Sequence, residues 1–202
     1  MADALYRDFY DPTHAFEREP RAFCYEMASA LISEARTDNP PSWYTDIRTV
    51  RGILLLLFCW NFAARKTKSL TIERTHHLLR QNEARLRQLE GYSLLTFTEQ
   101  EEPIIQKVFS SFCREFDQTG AAKALSMLNP PLFVMWDTAI RQRVRRELIR
   151  GIDNGQTGEQ YLLFVESLRQ YSLQYNFQQR LAPGAILAKK IDEYHYVEIV
   201  MD

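Results

Sequence analysis

ILLLLFCWNFAA, residues 53–64, is the most apolar stretch of the 202-residue chain, and the fold turns on how it is read. It is bounded by Arg51 and Arg65. Its twelve residues fall well short of the about 20 that a helix needs to cross a bilayer. Apolar all round, it leaves no polar face for water, so it predicts a central helix over residues 45–65 that other helices bury on most sides. Gly52 sits early in that helix, where a glycine is tolerated if a neighbouring helix approaches closely.

Outward from this stretch the same periodicity recurs. Phe23, Met27, Ala30, Leu31 and Ala35 lie at helical spacing after Pro20, and the run must stop before Asn39-Pro40-Pro41, because two prolines cannot continue a helix. On the other side, Ile72, His76, Leu79, Leu86 and Leu89 form one face of an amphipathic helix over residues 69–90, with Gly91 placed to end it. Residues 92–97 read as an extended connection. Thr98 and Glu101 have the capping-box spacing and head a helix of Ile104, Ile105, Val108, Phe109, Phe112 and Phe116, expected to end near Gly120. Two more helices are expected over residues 160–181 and 185–197. The chain is therefore expected to be all-α, about seven or eight helices in a single domain over residues 1–202, compact or two-lobed. The glycines and Asp153-Asn154-Gly155 within residues 151–158 mark a loop and a candidate junction between lobes.

Composition narrows the function classes. With 46% hydrophobic and 25% charged residues the chain has the balance of a globular protein, not of a disordered one. A net charge of −1 offers no global attraction to nucleic acid or membrane, so any polyanion site must come from local clustering. The first twelve residues carry three aspartates and no apolar core, unlike a secretory signal, which points to the cytoplasm. Cys24, Cys59 and Cys113 are odd in number and far apart, and read as buried small hydrophobes. His76 and His77 are adjacent, pointing about 100° apart on a helix, and so are poorly placed to share a metal. No zinc, Walker, dinucleotide-binding or nucleophile-elbow pattern is present, and no metal or cofactor is expected.

The chemistry-bearing residues concentrate in residues 120–150. Lys123 follows Gly120. Asp137 stands after the apolar, proline-initiated run Pro130-Pro131-Leu132-Phe133-Val134-Met135-Trp136, where a helix should begin. An aspartate there caps a helix; it is also a carboxylate available for chemistry. Five arginines follow, Arg141, Arg143, Arg145, Arg146 and Arg150. On a helix they form a broad cationic face able to hold phosphates through forked hydrogen bonds, or to pair with acidic neighbours such as Asp192 and Glu193.

Gly120-Ala121-Ala122-Lys123-Ala124-Leu125 followed by Val134-Met135-Trp136-Asp137-Thr138 resembles the signature of helix-hairpin-helix DNA glycosylases over about thirty residues. In that family a hairpin with two glycines leads to a helix that in some members carries a nucleophilic lysine, and a later segment presents an essential aspartate. The chain departs from it at Ala122, where the second hairpin glycine would stand, at Ala139, where a histidine follows the Asp-Thr pair, and in a shorter Lys123-to-Asp137 spacing. The Lys-Ala-Leu-x-x-Leu-x-Pro-x-Leu-Phe-x-x-Trp-Asp run and the late Leu-Ala-Lys-x-Ile-Asp-Glu-Tyr are also similar to a set of small bacterial proteins without assigned activity, which implies no particular reaction. The glycosylase resemblance implies an all-helical fold and a DNA-associated, base-excising activity. Lys123 and Asp137 would be catalytic, Trp136 would stack on an extruded base, and Arg141, Arg143 and Arg145 would hold phosphates. The rival reading is a non-catalytic helical module that meets a protein partner or a second copy of itself. The two part on geometry: an enzyme needs the Lys123 amine and the Asp137 carboxylate to open into one cleft.

Overall fold

The computed structural model describes residues 2–12, 22–60, 70–147 and 157–200. Among these there is no strand, and eight α-helices follow one another: α1 (Ala2–Arg7), α2 (Ala22–Asp38), α3 (Ile47–Trp60), α4 (Ile72–Gln88), α5 (Glu102–Leu128), α6 (Thr138–Glu147), α7 (Thr157–Gln174) and α8 (Leu187–His195). Short 3₁₀ turns at Trp43–Thr45 and Phe177–Arg180 and a π turn at Tyr196–Val200 join or extend them. The all-α expectation holds. The candidate junction falls mostly on residues 151–156, which lie outside the described residues, as does the end of the apolar stretch beyond Trp60. No described helix is long and apolar enough to cross a membrane.

The apolar stretch does form the most enclosed early helix. In α3, Val50, Ile53, Leu56 and Leu57 are fully buried, because α2, α4 and α5 cover it on several sides. Its closest neighbour is α2. A Cβ on Gly52 would lie 2.8 Å from the Ala28 carbonyl oxygen and 3.0 Å from Ile32, so the crossing of α2 and α3 requires the missing side chain. Phe58, in the middle of the apolar run, is by contrast 46% exposed.

Local chemistry sets the helix ends. Thr71 caps α4 by accepting a hydrogen bond from the Arg74 amide at 3.2 Å, and Gly91 takes the left-handed backbone, φ 83°, that lets the chain leave it. The Thr98–Glu101 pair forms, but one turn early. The Glu101 carboxylate accepts from the Thr98 amide at 2.8 Å and from its hydroxyl at 2.7 Å, while α5 begins only at Glu102.

α5 corrects the sequence reading at the residue that matters most. The helix was expected to end near Gly120; it breaks instead at Asp117, at φ 62° and ψ 179°, and restarts at once. Asp117 holds the restart in place by accepting from the Gly120 amide at 2.8 Å, the geometry of an N-cap. Gly120 is therefore buried inside a helix and is no turn. From Gly120 to Leu128 every residue is buried, because glycine, three alanines and a serine let neighbouring elements close on all sides. Lys123 thus sits on the most enclosed helical segment among the described residues.

After α5 the chain runs extended through residues 133–137 before α6. No strand pairs with it. Instead the Tyr161 hydroxyl donates to the Val134 carbonyl at 2.8 Å and accepts from the Val134 amide at 3.1 Å, so one side chain of α7 satisfies both polar groups of a buried peptide position. Phe109 stacks on the same ring at 3.7 Å between centroids. This clamp holds the extended segment, and with it the start of α6.

Candidate active site

A pocket of about 130 Å³ opens where seven parts of the fold meet. The extended segment supplies Met135 and Asp137, and α6 supplies Ile140. Lys123 comes from the buried part of α5, and Tyr25 and Trp60 come from α2 and the last residue of α3. α8 adds Lys189, Asp192 and Glu193, and Tyr196 follows from the π turn. Lys123 and Asp137 therefore line one cavity. The volume is close to that of a roughly 150 Å³ protein cavity known to hold benzene, so the space suits one ring.

Lys123 is 8% exposed, and its amine donates to the Trp60 carbonyl oxygen at 2.5 Å. The same amine lies 5.9 Å from the centre of the Trp60 ring, within the range of a cation–π contact. Asp137 has two roles at once. Its Oδ1 accepts from the Ile140 amide at 2.9 Å and its backbone carbonyl accepts from the Arg141 amide at 2.9 Å, which makes it the N-cap of α6, while its side chain also lines the pocket.

Trp136 is not beside Asp137 in the sense that a stacking role needs. It is 2% exposed, stacked on Phe164 at 5.5 Å and packed against Tyr161 at 5.6 Å and Phe109 at 6.1 Å. Successive side chains of an extended segment point to opposite faces, so Trp136 turns into the core as Met135 and Asp137 turn into the pocket. The ring cannot receive a base in this arrangement. Tyr25, Trp60 and Tyr196 supply the aromatic wall instead, with Tyr25 and Trp60 edge to face at 6.3 Å and Trp60 and Tyr196 at 6.0 Å. No periodic pattern singles these three out, since they come from separate elements.

The arginine cluster divides as well. Arg141 braces the site: its guanidinium donates to the Trp136 carbonyl at 2.7 Å, to the Thr138 hydroxyl at 2.9 Å and to the Thr119 hydroxyl at 3.2 Å. It also lies 5.7 Å from the centre of the Trp136 ring. Arg143 is exposed on α6. The side chains of Arg145 and Arg146, and all of Arg150, lie outside the described residues. Glu193 pairs with lysines rather than with this cluster, at 2.7 Å to Lys190 and 3.7 Å to Lys189, and Lys190 reaches Asp11 at 3.4 Å.

The residue that sequence reading missed is Asp192. In the sequence it reads as an acidic neighbour for arginine, yet it is buried in the pocket wall, and its Oδ1 accepts from the Met135 amide at 2.5 Å. Burial pushes its carboxyl well above the usual carboxylate range, and the negative charges of Glu193 and Asp137 push the same way against the Met135 hydrogen bond and Lys189. Its neighbour Tyr25 is raised for the same leading reason, burial, with Asp192 and Glu193 adding to it.

Among the described residues no cluster of histidine, cysteine, aspartate or glutamate could hold a metal ion. The three cysteines take part in no disulfide and are half-buried, less enclosed than their pattern predicts, and burial pushes the Cys113 thiol up to about 12. No family model, curated protein or solved structure matches the chain, so the site stands on its own geometry.

Proposed function

We propose that the pocket is the base site of a DNA-associated, glycosylase-like protein. One observation carries this reading: Lys123 and Asp137, on different elements, line the same ring-sized cavity under an aromatic wall. An amine and a carboxylate converging on one space can divide the work of breaking a glycosidic bond. After giving a proton to solvent, the Lys123 amine bonds to the anomeric carbon as the carbon–nitrogen bond to the base breaks, and the base leaves with that electron pair and takes up a proton. The amine gives up its protons as the sugar ring opens to a Schiff base, and the Asp137 carboxylate stabilises the positive charge that develops on the sugar. Tyr25, Trp60 and Tyr196 replace Trp136 as the surfaces against the base. Arg143 and Arg145, on the helix that begins at Asp137, are the phosphate contacts, while Arg141 is committed to holding α6 against the core.

The test is reduction with borohydride during incubation with a panel of duplexes carrying damaged bases, because hydride converts the Schiff base to a stable protein–DNA bond. Wild-type protein is expected to give an adduct with at least one duplex, and Asp137→Asn to fold normally and give far less. A clean negative across the panel overturns the catalytic reading.

A second reading, a non-catalytic interaction module, is favoured by a different observation. Phe23 and Met27, one turn apart on α2, are 65% and 43% exposed, more than a helix needs to show to water. If that face meets a second copy of the chain, Phe23→Ser should lower the mass measured by light scattering at high concentration. An unchanged monomer mass for both proteins removes self-association.

A further inference from the structure

The pocket contains an acidic group, Asp192, with which no cation among the described residues forms an ion pair. The nearby lysines are engaged elsewhere: Lys190 and Lys189 reach Glu193, and Lys123 donates to the Trp60 carbonyl. Asp192 is 9% exposed and lines the cavity, and its only hydrogen bond among the described residues is the one that Oδ1 accepts from the Met135 amide. Its second oxygen has no protein partner there. An ionised carboxylate on a residue only 9% exposed, with one donor, is costly, whereas a carboxylic acid in the same place fits the site: Oδ1 remains an acceptor for Met135, and the proton resides on Oδ2. The direction of its acidity, set first by burial, agrees. A neutral acid of this kind presents a single O–H donor to whatever occupies the pocket.

We propose that Asp192 selects the ligand, donating its O–H to an unprotonated acceptor, a ring nitrogen or ring carbonyl, of a neutral heterocycle held against Tyr25 and Trp60. This inference rests on the base-site reading above and deepens it, since it names which edge of the base is recognised and by what. The ring-sized volume excludes much larger ligands, and the aromatic wall favours a flat one. Asp192 would be a specificity-determining residue, and would also be placed to supply the proton that a departing base requires.

The groups that face Asp192 are Glu193 and Lys189 on its own helix, Asp137 from the extended segment, Lys123 from α5, Tyr25 from α2 and Tyr161 from α7. Burial raises both phenols, so neither loses its proton at neutral or mildly alkaline pH. The proton expected to be lost as binding weakens is that of Asp192.

The experiment is titration of the full chain with free adenine and free cytosine, followed by calorimetry and amide NMR, across neutral to mildly alkaline pH where both probes stay neutral. Indole is the control ring without a ring acceptor. At least one of the bases is expected to bind, indole weakly or not at all, and affinity to fall by roughly tenfold per pH unit once Asp192 ionises. Asp192→Asn should keep the affinity at neutral pH and lose the decline, because its amide N–H₂ donates at every pH while its oxygen still accepts from Met135. Asp192→Leu should cost about tenfold or more; if it does not fold, the asparagine variant carries the test. Base binding that is independent of pH in the wild type, or lost in Asp192→Asn, overturns the role of Asp192. Absence of binding by either base overturns both this inference and the base site. Base binding without any borohydride adduct leaves this inference standing and removes the chemistry.

Discussion

Val134 and Trp136 enter a dry, aromatic interior, while Met135 and Asp137, their immediate neighbours, look into the pocket. α8 is divided in the same way, with Asp192 on the pocket and His195 in the core beside Tyr6 and Phe164. On the dry side the rings are fixed by packing: the Tyr161 hydroxyl spends its donor and an acceptor on Val134, while the Trp136 indole N–H and His195 Nδ1 are sealed in without a partner among the described residues. On the pocket side the unused polar atom, the second oxygen of Asp192, belongs to a residue that lines the cavity, where an occupant can reach it. The difference teaches that function in this fold is a matter of which face a side chain takes, since adjacent positions in one segment hold opposite roles.

The comparison is broken most severely at Trp136. Trp136→Ala should cost about 3–5 kcal/mol, because a large ring in full contact leaves a cavity that the aromatic cluster cannot refill. Chemical denaturation measures it, and a loss below about 1 kcal/mol would place the ring outside the core. The unpartnered indole N–H tempers the expectation only slightly, since it too is buried with no acceptor among the described residues.

Acid should reach the dry face next. Burial lowers the His195 pKa from 6.5 to about 3, so the unfolded chain binds a proton that the native state refuses between those values. Stability therefore falls as pH drops from about 6.5 towards 3, and His195→Gln should remove that part of the loss in melting temperature. Asp192 has the opposite sign. Its raised folded pKa gives stability that is complete below the ordinary carboxylate value and declines as pH rises towards the folded one, so Asp192→Asn should melt higher than wild type at neutral pH. A variant that melts lower at neutral pH would mean that the ionised form is the native one.

Tyr161→Phe tests the clamp between the two faces. It keeps the ring but strands the amide and carbonyl of Val134, for an expected loss of about 1–3 kcal/mol. Hydrogen exchange at residues 133–137 should speed up, and an unchanged rate would show that the segment is held by packing alone.

The smallest effect belongs to Asp137. Asp137→Ala removes the cap of α6 and should cost about 1 kcal/mol, whereas Asp137→Asn, which caps about as well, should leave the melting temperature nearly unchanged. The pair separates the structural role of this carboxylate from any catalytic one, because only the latter distinguishes asparagine from aspartate by activity.

How much of this was legible beforehand follows from the range of each signal. Periodicity over ten or more residues carried the helices, including the enclosed α3, the amphipathic α4 and the start of α6 at Asp137, since those patterns are local. The break at Asp117 was not legible, because nothing in Phe116-Asp117-Gln118 demands a positive φ, and a glycine three residues on drew the turn to itself. Lys123 and Asp137 were singled out from their neighbourhoods, and their convergence required tertiary structure. Trp136 escaped because the conformation of its approach was left unread: residues 133–137 are extended in the structure, and alternation along such a segment sets Trp136 opposite Asp137. Asp192 was hidden for a different reason, as a carboxylate in the run Lys189-Lys190-Ile191-Asp192-Glu193 looks like one more surface charge until its helix is docked.

The close crossing at Gly52 has a consequence for the pocket two helical turns away. Tyr25 lies one turn before Ala28 on α2, and Trp60 lies about two turns after Gly52 on α3, so the two rings of the wall are carried by the helices that this contact draws together. A methyl group at position 52 would act as a shim driven between two beams. Alanine ordinarily improves a helix interior by about 1 kcal/mol over glycine, but here it would prise α2 from α3 and splay the rings apart. The gauge of the cavity is thus set by an atom that is absent, at a position that touches no ligand.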